Sequence, residues 1–127
     1  MNKQKKLQLL YVPLDERPCN LNFPQKIAAT RGDVELIAPS KELLGDKRKA
    51  ADVSKLWDFV SENIAEVDAA VLSLDMLVYG GLIPSRLHKL TLQEVEESLN
   101  NLEKLKAVNS KIKIYAFSCI MRAPQYN

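Results

Sequence analysis

Residues 7–20 read LQLLYVPLDERPCN, a short apolar run followed at once by charged and polar side chains. The apolar part is typical of a strand buried on both faces, as the central strands of parallel sheets are. Two further apolar runs, Ala69 to Leu74 and Ile112 to Ile120, also end in polar motifs, at residues 75–86 and 121–127. In parallel α/β proteins, ligand-binding and catalytic groups collect in the loops after the carboxyl ends of strands. The pattern therefore predicts a parallel sheet with a site at one edge.

Helical signals separate these apolar runs. After the first strand, Asn22 is predicted to cap a short helix with Pro24 in its first turn and Gly32 as its stop. Val34 to Ala38 then predicts the second strand. From Asp52 onward, apolar residues recur every three or four positions, which predicts the second helix.

The third helix has the clearest start signal, because Thr91 and Glu94 form a capping box. Its apolar positions predict a buried stripe made of Leu92, Val95, Leu99, Leu102 and Leu105. The segment from Asp75 to Arg86 is predicted to be a long loop.

Strands and helices therefore alternate along a single α/β domain spanning residues 1–127, which indicates parallel strands joined by right-handed crossovers. We expect an open four-stranded sheet of order 2-1-3-4 with helices on both faces, Rossmann- or flavodoxin-like. A fragment of a (β/α) barrel is the alternative.

Composition excludes several classes of function. The formal net charge of +2 gives no argument for a nucleic-acid partner. No apolar run approaches the length of a membrane span and the one near the start is too short for export, so we expect a cytoplasmic protein. Cys19 and Cys119 lack metal-binding spacing, and His88 is the single histidine, which disfavours a zinc site. Glycine-rich nucleotide signatures are absent, so the sequence indicates no particular cofactor.

Asp15 and Asp75 are the candidate catalytic residues. In a 2-1-3-4 sheet they follow adjacent strands, about 4.8 Å apart, at the point where the winding reverses. Their carboxylates are then expected to reach one ligand as an acid–base pair, a glycosidase-type pair or oxygen ligands for magnesium. The alternative is that each aspartate caps a loop or a helix.

Three arginines, Arg17, Arg86 and Arg122, follow different strands and are candidate substrate-binding residues. Convergent guanidinium groups favour carboxylate or phosphate ligands. In the alternative interpretation they pair with nearby carboxylates and fix the loops, the partners being Asp15, Glu16 and Asp75.

Asn20 and Tyr79 are further candidates for hydrogen bonding to substrate at the same rim. Gly80-Gly81, directly after Tyr79, allows a turn with positive φ or the close approach of a ligand to backbone N–H groups.

The motifs YVPLDERPCN (residues 11–20) and YGGLIPSR (79–86), with Met121-Arg122 after the fourth strand, resemble a bacterial protein family of unknown function. Members of that family are typically several times longer, which implies that this chain is the amino-terminal portion of a larger protein. The resemblance transfers no catalytic residue. An exposed edge strand is then expected to be covered by the remainder of the longer chain or by a second copy.

Two functional hypotheses follow. In the first, the chain is part of a cytosolic hydrolase or lyase acting on a sugar-like or anionic small molecule through Asp15, Asp75 and the arginines. In the second, it is a non-catalytic module that binds a small molecule or docks the rest of its chain. Loop carboxylates that are exposed and convergent favour the first hypothesis, and carboxylates already paired with arginines favour the second.

Overall fold

The structure, a computed structural model, describes residues 6–46 and 49–120 of the 127-residue chain. Its strands are β1 (Leu7–Val12), β2 (Val34–Ile37), β3 (Ala69–Ser73) and β4 (Lys113–Phe117). Its helices are α1 (Pro18–Ala29), α2 (Val53–Asn63), α3 (Leu74–Tyr79), α4 (Leu82–Leu87) and α5 (Leu92–Val108), with a short 3-10 turn at Lys41–Leu44.

The strands form one parallel sheet of order β2-β1-β3-β4, which confirms the predicted α/β fold and strand order. Strand β1 lies in the interior of the sheet, where Leu10 pairs with Ile37 on one side and with Ala70 on the other. The loops that leave β1 and β3 therefore start from adjacent strands.

The two faces of the sheet are covered by different helices. Leu10 and Val12 lie in register with Ala70 and Leu72 and are fully buried. Burying each large apolar side chain of this kind stabilises the fold by about 1.5–3 kcal/mol. The same core contains side chains from α2 and from the residue that ends it, namely Leu56, Val60 and Ile64.

On the opposite face, the Tyr11 hydroxyl donates a hydrogen bond to the carbonyl oxygen of Asn20 in α1, at 2.6 Å. Helices thus lie on both faces, as predicted.

Helix α1 begins earlier than the sequence indicated. Arg17 is its N-cap residue and Pro18 occupies the first helical position, so the predicted start at Asn22 was wrong. Pro24 consequently lies inside the helix and has no N–H to donate to the carbonyl four residues before it. That carbonyl belongs to Asn20, and its oxygen accepts a hydrogen bond from the Tyr11 hydroxyl instead.

The segment from Asp75 to Arg86 is helical, so the predicted long loop was wrong. Ser73 caps α3 by accepting a hydrogen bond from the Met76 N–H at 3.3 Å. Gly80 ends this helix with a φ of 88°, and α4 starts two residues later.

Helix α5 starts as predicted, because the Thr91 hydroxyl accepts a hydrogen bond from the Glu94 N–H at 3.2 Å. Its predicted buried stripe is covered only in part. Leu105 is buried, whereas Leu92 is 76% exposed.

Candidate functional site

Asp15 organises the loop between β1 and α1. It is buried, and its Oδ1 accepts hydrogen bonds from the Arg17 N–H at 3.1 Å and from the Asn20 side-chain amide at 2.7 Å. Its Oδ2 accepts a hydrogen bond from Arg17 Nε at 2.8 Å. The structure therefore brings together three of the candidate residues, and both oxygens of Asp15 are engaged.

Arg17 is held at one edge of its guanidinium group and open at the other. The hydrogen bond and the charge of Asp15 raise the pKa of Arg17 above its ordinary value. The side chain is 46% exposed, and within the described residues its terminal Nη atoms form no hydrogen bond. Its outer edge is thus available for an anionic group.

A cleft of about 230 Å³ lies beside this arginine. One wall comes from the β1–α1 loop, with Asp15, Glu16 and Arg17, and the other from residues 80–84 at the turn between α3 and α4. Leu44 and Asp46 complete the lining. We call this space the β1–α1 cleft.

The glycine turn shapes the second wall of the cleft. Gly80 has a φ of 88°, and a Cβ atom placed on it would lie 2.8 Å from the backbone nitrogen of Ala51. Its carbonyl oxygen accepts a hydrogen bond from that same nitrogen at 3.0 Å. Because the turn packs directly on the Ala51 backbone, only glycine fits at this position.

Asp75 lies in the first turn of α3, where it is 5% exposed. Its Oδ2 accepts a hydrogen bond from the Cys119 N–H at 2.9 Å, which ties the end of β3 to the segment after β4. Asp75 does not line the β1–α1 cleft. That Asp15 and Asp75 act on one ligand stays a prediction.

Tyr79 and Arg86 do not line this cleft. The Tyr79 ring contacts the His88 ring, with 4.3 Å between centroids, and lines a separate groove near the start of α2. Arg86 is exposed and forms no hydrogen bond or ion pair with a described residue. Arg122 lies outside the described residues.

Glu16 is a site residue that the sequence analysis considered only as a partner for arginines. It is 9% exposed and lines both the β1–α1 cleft and a wider neighbouring depression of about 600 Å³. The available signal was its position, because it is a second acidic residue between a buried strand and a helix start. Asp46 also lines both spaces, and it lies between the second predicted strand and the second predicted helix, where the sequence indicated no candidate.

Within residues 6–46 and 49–120, no three His, Cys, Asp or Glu side chains come together as metal ligands would. In that same part of the chain, every helix is too short or too polar to cross a bilayer.

Comparison with known proteins gives the family. Residues 9–127 match the family model described as "Protein of unknown function (DUF4127)", and this range contains the motifs at residues 11–20, 79–86 and 121–122. A search of curated proteins and a search of solved structures found no match. The chain therefore belongs to the DUF4127 family of proteins of unknown function.

Proposed function

We propose that this chain binds a small molecule in the β1–α1 cleft and that Arg17 contacts an anionic group of that ligand. The supporting observation is the hydrogen bond between Arg17 Nε and Asp15 Oδ2 at 2.8 Å. A free arginine side chain loses up to about 2 kcal/mol of conformational entropy when it is fixed. Because Asp15 already restrains Arg17, part of this loss precedes ligand binding.

Asp15 has a positioning role in this proposal. The hydrogen bonds that Asp15 accepts from described residues are all local, two from Arg17 and one from Asn20. A carboxylate occupied in this way orients the guanidinium group and anchors the start of α1. A loop carboxylate that pairs with an arginine, as Asp15 does with Arg17, favours a binding module, whereas exposed and convergent carboxylates favour an enzyme.

The dimensions of the cleft favour a small ligand. Its volume of about 230 Å³ is below the range of about 300–1,000 Å³ typical of sites for drug-sized molecules. A metabolite with a few heavy atoms fits such a space, and the neighbouring depression can accept a polar extension.

A thermal-shift screen of the chain tests this proposal, using phosphate, small carboxylates, sugars, phosphosugars and divalent metals. A ligand at about 100 times its Kd stabilises the folded state by about 2.7 kcal/mol, which raises the Tm by several degrees. We expect a carboxylate or phosphate compound to raise the Tm, and Arg17→Gln to abolish the shift.

Arg31→Gln is the matched control, because Arg31 also pairs with an aspartate, Asp33, at 2.8 Å but lies outside the cleft. The proposal is wrong if no anion raises the Tm, or if Arg17→Gln retains the full shift.

A hydrolase or lyase using Asp15 and Asp75 is the second candidate function. It is favoured by two buried carboxylates that follow adjacent parallel strands. Among the described residues, none donates a hydrogen bond to Oδ1 of Asp75. If this oxygen acts in catalysis, Asp75→Asn abolishes turnover of whichever sugar or phosphosugar the screen identifies.

The control for that variant is Asp68→Asn. Asp68 also accepts a hydrogen bond from a backbone N–H, that of Gln8 at 2.8 Å, but its side chain is exposed. Equal turnover in the wild type and in Asp75→Asn would exclude a catalytic role for Asp75.

A further inference from the structure

Glu16 is a largely buried acidic residue that forms no salt bridge with a described residue, although its charge acts on the neighbouring Arg17. It is 9% exposed, and no described residue donates a hydrogen bond to its carboxylate. The neighbouring guanidinium group of Arg17 forms its ion pair with Asp15 instead. Among the described residues, Ser98 Oγ is the one buried side-chain polar atom without a hydrogen-bond partner. The carboxylate oxygens of Glu16 therefore remain accessible from the space that Glu16 lines, where a ligand can donate a hydrogen bond to them.

The position of Glu16 indicates where such a ligand lies. Glu16 lines the β1–α1 cleft and the wider depression beside it, together with Arg17. The two residues are consecutive, and consecutive Cα atoms are about 3.8 Å apart. A small ligand in the cleft can therefore contact both side chains at once.

We infer that Glu16 accepts a hydrogen bond from the ligand, so that the ligand carries both an anionic group for Arg17 and a hydroxyl or ammonium donor for Glu16. This inference rests on the proposed function. It narrows the ligand class to small hydroxy acids and amino acids. A ligand with anionic groups alone places like charges beside Glu16, which repel it at short range.

Propionate, lactate and alanine form a matched set of probes for this inference. They share a three-carbon carboxylate, and at the second carbon they carry a hydrogen, a hydroxyl or an ammonium group. NMR titration of the 127-residue chain gives the Kd of each probe. We expect lactate or alanine to bind about tenfold more tightly than propionate, a difference of about 1.4 kcal/mol.

Two substitutions connect this preference to Glu16. Glu16→Met has a similar length but lacks the carboxylate, and we expect it to remove the preference, so that propionate, lactate and alanine bind with similar affinity. Glu16→Gln retains an acceptor oxygen without the charge, so a preference for lactate partly persists and a preference for alanine is lost. Glu96→Gln, an exposed position on α5, is the control and is expected to behave like the wild type.

The outcomes separate this inference from the proposed function. Equal affinity of the wild type for all three probes, or a preference that persists in Glu16→Met, overturns the inference and leaves anion binding by Arg17 in place. If these three probes and every anion of the thermal-shift screen fail to bind, the proposed function is overturned and the inference fails with it.

Discussion

At the scale of single residues, the three hydrogen bonds accepted by Asp15 make this side chain a strong determinant of stability in the β1–α1 loop. Asp15→Ala leaves the Asn20 amide and the Arg17 N–H without their acceptor at the start of α1. We expect the free energy of unfolding to fall by about 1–3 kcal/mol, as measured by urea denaturation.

The control is Asp33→Ala, because Asp33 pairs with Arg31 in solvent. Solvent-exposed ion pairs of this kind contribute little to stability, so we expect a much smaller loss in Asp33→Ala than in Asp15→Ala. If the two variants lose the same free energy of unfolding, the hydrogen bonds of Asp15 contribute no more to stability than an exposed ion pair does.

Tyr11 gives the fold a dependence on alkaline pH. Its pKa is raised above the ordinary value, first by burial and then by the charges of Asp15 and Cys19. The folded state therefore favours the neutral phenol of Tyr11, whereas a tyrosine in the unfolded chain has a pKa of about 10. The resulting stabilisation is fully present below that pH and is lost as the pH rises through the folded-state pKa.

We expect Tyr11→Phe to show a smaller loss of stability between about pH 9 and about pH 11 than the wild type. Urea denaturation at both pH values measures the difference. Identical losses in the two proteins would mean that other groups cause the alkaline sensitivity.

At the scale of elements, the sequence predicted the long helices but not the short ones. The periodicity after Asp52 and the Thr91 cap predicted α2 and α5 because both helices are long enough to show these signals. Helices α3 and α4 have six residues each, too few for an apolar face to repeat, so their segment was predicted as a loop. The signals that were present are Ser73 as a cap and Gly80 as a stop.

The start of α1 was misplaced because the sequence contains two prolines that suit a first helical turn, Pro18 and Pro24. Only the structure shows that Tyr11 satisfies the carbonyl that Pro24 leaves without a donor. A compensating hydrogen bond between residues 9 positions apart cannot be read from local sequence.

The turn between α3 and α4 requires glycine at position 80, since a Cβ atom there would lie 2.8 Å from the Ala51 nitrogen at a φ of 88°. We expect Gly80→Ala to lower the free energy of unfolding by about 1–3 kcal/mol. Because this turn forms one wall of the β1–α1 cleft, anion binding is expected to weaken as well.

Gly32→Ala is the control for Gly80→Ala. A Cβ atom at Gly32 meets nothing within 4 Å, and this residue has no positive φ. Thermal and urea denaturation should show an unchanged or slightly more stable protein, because alanine restricts the unfolded chain. Equal effects at the two glycines would contradict the close packing described for the turn.

At the scale of the whole molecule, the order of apolar runs was sufficient to predict the sheet, whereas the contents of the site were predictable only in part. Position after β1 identified Asp15, Arg17 and Asn20 as candidates, and the structure brings them together. The sequence left open whether Asp15 faces a ligand or pairs with an arginine, because both arrangements fit the same residue order. That choice depends on the path of the loop in space, as does the burial of Glu16.

Strand β4 lies at one edge of the sheet and leaves Tyr115 58% exposed and Phe117 37% exposed. Unpaired edge strands with apolar side chains favour pairing with another chain. We therefore expect the chain to self-associate through β4 as its concentration rises, and sedimentation velocity over a concentration series measures this. Tyr115→Lys should shift the equilibrium toward monomer, since two lysines that meet across a paired edge repel each other. Leu92→Lys is the control, because Leu92 is 76% exposed on a helix that offers no strand edge. The prediction is wrong if the wild type remains monomeric throughout the series, or if both substitutions change association equally.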